Sequence, residues 1–99
     1  MARFSVYAGL GPGEGYVVDV QASLLDELST RVVIPLLPAD VGGTIRDLNP
    51  VVDIDGRLFV VMAQELSAVP RTLLKRRVGS LDAWRDEIVR ALDVLLTGL

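Results

Sequence analysis

The chain has 99 residues, 10 basic and 13 acidic, and contains neither histidine nor cysteine. Imidazole catalysis, thiol nucleophiles, disulfides and soft zinc sites are therefore excluded, leaving carboxylates, Lys75, two tyrosines and hydroxyls as possible chemistry. The 51% hydrophobic content becomes about 58% when glycine is counted in and tyrosine out, against about 45–50% for typical globular chains; so short a chain buries that surplus in its own core only with difficulty, and a second copy or obligate partner is expected.

The pattern reads as many short strands followed by one helix, with no internal repeat and no linker long enough to divide residues 1–99 into two domains. Residues 4–8 and 16–21 are β-rich runs. Gly9, Gly11, Gly13 and Gly15 between them permit positive φ and predict a hairpin connection. Residues 23–29 suit one short helical turn. Residues 31–38 are the most β-like run, and Pro35 within them predicts an edge position or a bulge, because proline cannot donate to a ladder. Residues 39–44 form a loop by composition. Asp55-Gly56 between the β-branched runs 51–54 and 57–61 is a strong hairpin signal. A further strand is expected over 62–68, ended by Val69-Pro70. Ser80 then reads as an N-cap with Asp82 in the first turn. Leu81, Trp84, Ile88, Ala91, Leu92 and Leu95 follow at helical spacing, and Gly98 is a natural stop.

No apolar stretch approaches the roughly 18 residues of a spanning helix, and the alternating N-terminus is unlike a signal-peptide core, so a soluble cytoplasmic protein without membrane contact is expected. The pI near 4.7 disfavours a phosphate-binding surface. Charge is uneven, however: residues 1–70 carry 4 basic and 9 acidic side chains, residues 71–99 carry 6 and 4.

Four features invite a functional reading. The alternating glycines of residues 9–15 lack the Gly-Lys-Ser/Thr ending of a nucleotide loop and join two strands, which favours a plain hairpin. Asp53 and Asp55 resemble an acid/base pair, yet Asp55 already serves the turn, so a solvated hairpin face is the better reading. Arg71, Lys75, Arg76 and Arg77 concentrate positive charge without interleaved aromatics, which favours a solvated segment or a docking surface for an acidic peptide over nucleic-acid contact. Trp84 belongs to the apolar stripe and points to core packing or a subunit interface. None of these specifies an active site, and no cofactor or metal is implied.

Phe4-Ser5-Val6-Tyr7, Val18-Asp19-Val20-Gln21, Val32-Val33-Ile34-Pro35-Leu36, Leu48-Asn49-Pro50-Val51-Val52 and Ser67-Ala68-Val69-Pro70 occur in the order and spacing of the CcdB family of type II toxins. The chain resembles that family from residue 4 to its end. The resemblance implies a mainly β fold with a C-terminal helix, a small SH3-like barrel of the CcdB/MazF type, assembled as a homodimer. It also implies a non-enzymatic toxin whose C-terminal residues bind the A subunit of DNA gyrase and trap the enzyme on cleaved DNA. A CcdA-like antitoxin would neutralise it and, together with it, repress their operon, so operator DNA is contacted only through the antitoxin.

On this resemblance the gyrase-binding residues are Thr97, Gly98 and Leu99. The family tail is Trp-Gly-hydrophobic, so Thr97 stands where the tryptophan would be. Loss of a buried interface tryptophan typically costs more than about 2 kcal/mol, roughly thirtyfold in affinity. Two other readings follow: a MazF-like endoribonuclease, with carboxylates and Arg31, Arg46 or Arg57 at the phosphate, and a non-toxic homologue retained as an antitoxin-bound corepressor.

Overall fold

Alternating side chains on short β-branched runs dictate a sheet with two distinct faces. The computed structural model describes residues 2–10, 15–40 and 43–98. Its strands are β1 (Ser5–Ala8), β2 (Tyr16–Asp19), β3 (Thr30–Pro38), β4 (Val51–Ile54), β5 (Arg57–Val61), β6 (Ser67–Pro70) and β7 (Arg76–Ser80), followed by one helix, α1 (Arg85–Thr97). All strand pairings are antiparallel, in the order β4-β5-β3-β2-β1-β7, with β6 alongside β3. The sheet curls into a half-barrel, as the mainly β expectation with a terminal helix required.

The concave face holds the main core. Val6, Val18, Ile34, Leu36, Phe59 and Val61 come from the sheet, and Leu81, Ile88 and Ala91 from the C-terminal segment. A smaller cluster on the opposite face joins Tyr7, Val17, Val33 and Leu74. Both faces of β2 and β3 are thus covered, and their runs are apolar on both sides.

The β1–β2 hairpin forms as expected, with Val6 opposite Val18 and Ala8 opposite Tyr16, although residues 11–14 of its connection lie outside the described residues. Residues 23–29 contain the expected turn, a single 3₁₀ turn at Ser23–Leu25. In the β4–β5 hairpin Asp55 and Gly56 take φ of 52° and 84°, the two left-handed positions of a type I′ turn. Asp53 Oδ1 accepts the Gly56 N–H at 2.8 Å. Gly56→Ala should cost about 1–2 kcal/mol in urea unfolding, because a Cβ disfavours that φ although nothing lies within 4 Å of it. An unchanged midpoint would contradict the assignment.

Three expectations need correction. Pro35 lies in neither an edge strand nor a bulge: β3 pairs with β2 on one side and with β6 and then β5 on the other. The Pro35 carbonyl accepts the Met62 N–H at 3.1 Å, so the imide nitrogen faces the junction between β6 and β5, where no ladder donor is required. The strand expected over 62–68 is instead a 3₁₀ turn at Ala63–Glu65 followed by β6, which includes Val69 and Pro70. Buried Ala63 permits that tight turn against the helix. Finally, Ser80 ends β7, its hydroxyl accepts the Asp82 N–H at 3.1 Å, and a 3₁₀ turn at Asp82–Trp84 precedes α1. The cap thus serves the turn, and the helix begins at Arg85. The strand β7 has no period-2 signature of its own and exists through its pairing with β1.

Candidate functional site

Helix α1 is anchored at one end and free at the other. Its apolar positions recur at helical spacing, yet only Ile88 and Ala91 are buried, with Trp84, Val89 and Leu92 half-buried against the main core. No residue after Ala91 is buried among those described, and Leu96 is 69% exposed. Beyond Leu92, which still packs on the main core, the helix end carries no buried residue and leaves Leu96 as an exposed apolar side chain. Trp84 is half-buried against the main core, the first of the two places its position in the stripe allowed.

The helix stops where the sequence places the stop. Gly98 adopts φ 75°, and its N–H donates to the Asp93 and Val94 carbonyls at 3.1 Å each. Thr97 Oγ1 donates to the Asp93 carbonyl at 2.6 Å and the residue is exposed. Thr97 and Gly98 thus occupy the projecting end, while Leu99 lies outside the described residues.

A second exposed apolar group escapes sequence reading. Leu24 is 93% exposed, and Leu25, Leu28 and Leu73 are each about half exposed. Leu24, Leu25 and Leu28 belong to one connection between β2 and β3, and Arg71 of the neighbouring turn binds it through Arg71 N–H to the Ser29 carbonyl and Arg71 Nη1 to the Asp26 carbonyl.

This connection is held by an ion network that sequence reading did not assign. Arg31 is fully buried; its Nε donates to Asp19 Oδ2 at 2.9 Å and its Nη2 lies 2.7 Å from the same oxygen. Its Nη1 donates to Asp26 Oδ1 at 2.7 Å. Asp19 Oδ1 accepts the Gln21 N–H, while the Gln21 side chain accepts from Val32 N–H and donates to the Leu25 carbonyl, all at 3.0 Å. The Arg31 hydrogen bond holds the Asp26 carboxyl below its ordinary range despite some desolvation. For Arg31 burial works against the charge, but hydrogen bonds to Asp26 and Asp19 outweigh it and raise the guanidinium's pKa. One charge of each sign within two apolar strand runs was the available signal.

The remaining candidates stay apart. Asp53 and Asp55 belong to the β4–β5 turn and are exposed. Arg31 is committed to its two carboxylates, Arg46 lies on an exposed segment before β4, and Arg57 lies on β5. Arg71 clasps the leucine-bearing connection, Arg77 Nε donates to Ser5 Oγ at 3.0 Å, and Lys75 and Arg76 are exposed. Among the described residues no three carboxylates gather into a metal site, and no helix is long and apolar enough to cross a membrane.

The family model for the CcdB protein matches residues 3–98, nearly the whole chain. With the half-barrel, the terminal helix and the glycine stop already described, this match shows that the chain belongs to the CcdB family, whose members are toxins of toxin–antitoxin modules that act as DNA gyrase poisons.

Proposed function

We propose that this protein is a dimeric toxin that binds the A subunit of DNA gyrase through Thr97, Gly98 and Leu99, traps the cleaved-DNA complex, and is neutralised by a CcdA-like antitoxin in the cytoplasm. The family match over residues 3–98 carries this reading. It is supported by a helix end that projects beyond its last buried residue and exposes Leu96. Two such ends brought together by a twofold axis would present a symmetric surface to a symmetric target. The apolar surplus of the sequence is assigned to the seam between them.

The test is a gyrase cleavage assay on supercoiled plasmid. The full chain should yield linear DNA, and a chain truncated after Leu96 should not. Thr97→Trp should strengthen the effect by roughly thirtyfold in the concentration required, because an indole supplies the large contact that threonine lacks. Linear DNA from the truncated form, or none from either the full chain or Thr97→Trp, defeats the assignment. Sedimentation that finds a stable monomer at micromolar concentration removes the two-tailed surface.

A further inference from the structure

From Leu66 to Leu81 the chain carries four cations, Arg71, Lys75, Arg76 and Arg77, and no carboxylate. The fold divides them between the two sides of the sheet. Arg76 lies opposite Ala8 and, with Arg57, lines a cleft on the concave side. Arg77 lies opposite Tyr7, and its Nε donates to Ser5 Oγ, two residues along β1. It therefore belongs to the convex side, where Tyr7 joins the smaller core cluster. The segment joining β6 to β7 crosses that same side. Leu74 is buried there against Tyr7, Val17 and Val33, while Arg71, Leu73 and Lys75 around it are exposed.

The crossing is pinned by its own backbone. The Arg71 N–H donates to the Ser29 carbonyl at 2.9 Å, and the Leu74 and Lys75 N–H groups donate to the Arg71 and Leu73 carbonyls at 3.1 Å each. Arg71, Lys75 and Arg77 thus stand along a fixed convex ridge, with Lys75 and Arg77 about 7 Å apart along the extended chain, far enough to meet separate phosphates. The side-chain bonds of Arg71 and Arg77 go to neutral oxygens, the Asp26 carbonyl and the Ser5 hydroxyl. The ion pairs among the described residues use Arg31, Arg85 and Arg90, so the ridge keeps its three positive charges there.

We propose that this ridge contacts the phosphate backbone of duplex DNA directly, without reading base sequence. The clefts of about 380, 160 and 270 Å³ lie elsewhere, so the ridge offers no such pocket to the side chains of a peptide. Tyr7 beneath it is only 5% exposed, so no bare ring is available for stacking unpaired bases. A duplex needs neither feature: its charge density of about one per 1.7 Å of axis is met by cations on a convex surface. Sequence alone argued against nucleic acid here because no aromatic is interleaved, an objection that applies to single strands and not to a duplex backbone. Three contacts in a chain of net charge −3 make a low-affinity interaction that shows at low ionic strength. The site goes beyond the gyrase reading and its test involves no gyrase, so either can fail alone.

The test is fluorescence polarisation with a labelled duplex and a labelled oligothymidine, each titrated with the full chain at low salt and again as salt is raised. The duplex should bind more tightly than the oligothymidine, and log K should fall against log salt with a slope of about −2 to −3. Lys75→Gln combined with Arg77→Gln should weaken the duplex roughly tenfold and bring the slope to about −1, whereas Arg77→Lys, which keeps the charge, should bind within about twofold of the parent. Arg76→Gln is the control: it removes the same charge one residue away, on the concave side, and should change duplex binding by less than about twofold. Lys75, Arg76 and Arg77 are exposed, and unchanged thermal midpoints would verify that the variants remain folded. No duplex binding at low salt, equal losses at Arg76 and Arg77, tighter binding of the oligothymidine, or more effective displacement of the duplex by polyglutamate than by unlabelled duplex of equal charge would each overturn the proposal.

Discussion

Replacing Arg31 with methionine should cost about 3–5 kcal/mol in urea unfolding, the largest single effect expected in this molecule. Arg31 and Asp19 both have fully buried side chains, and the guanidinium reaches Asp19 through Nε and Nη2. Methionine matches the reach of the arginine stem but leaves the Asp19 carboxylate in the interior with the Gln21 N–H still donating to it and no cation beside it. The cost is that of an uncompensated buried charge, not the net worth of the pair. Against a total stability of about 5–15 kcal/mol, that is a large share. Adding Asp19→Asn should restore a large part, since asparagine keeps an oxygen for the Gln21 N–H without the charge. A double-mutant cycle with no coupling, or a single-variant loss below about 1 kcal/mol, would show that the network does not hold the β2–β3 connection in place.

The same network sets an acid limit. The Asp26 carboxyl is held below its ordinary value by Arg31, so it binds protons less readily when folded than when unfolded. Its contribution is complete above the unfolded carboxylate range and is lost as pH falls through the lowered folded value. Asp26→Asn should therefore flatten the acid side of the stability profile while leaving its slope near neutrality unchanged. An identical acid slope in the variant would rule out this role.

Truncating Ile88 to alanine should cost about 2–5 kcal/mol and loosen the C-terminal helix. Ile88 is fully buried, and with Ala91 it makes up the buried part of α1 on the concave core. Ala91 is too small to compensate, and Leu92 and Leu95 are only half-buried. Hydrogen exchange over α1 should rise along with the global loss, since the helix end has no deeper anchor. Leu96→Ala provides the contrast. At 69% exposure it should shift monomer stability by no more than about 0.5 kcal/mol, yet weaken self-association if the projecting turns form the proposed seam. Equal stability losses at Ile88 and Leu96 would invert the burial order on which the projecting tail rests.

Elements governed by local chemistry were readable from the chain. Asp55-Gly56 announces a turn because few residues accept positive φ, and the structure has it at 52° and 84°. The stripe through Ile88, Ala91 and Leu92 and the stop at Gly98 are likewise local, resting on helical period and on the freedom of glycine. Residues 62–70 misled, and 76–80 gave no strand signal, for the opposite reason. Their runs are too short to carry a period, so their conformation follows from what they pair with: β6 from the first half of β3, β7 from β1. Pro35 is the sharpest case. A proline in a central strand contradicts propensity until the neighbouring strand is seen to change from β6 to β5 beside it.

The functional features divide along the same line. Composition alone ruled out histidine and cysteine chemistry and set an apolar surplus that asks for a partner, and the register of short fragments pointed to the CcdB family, because these are properties of residue identity and order. The tertiary structure alone decided which large apolar side chains stay exposed: Leu24, Leu25 and Leu28 on the β2–β3 connection, Leu73, Ile45, Val51 and Leu58 elsewhere, and Leu96 on α1. It alone brought Arg31 between Asp19 and Asp26, and Arg57 and Arg76 to one cleft. Such pairs lie many residues apart in the chain, and the curl and register of the sheet bring them together through cooperative packing that no local pattern of residues encodes.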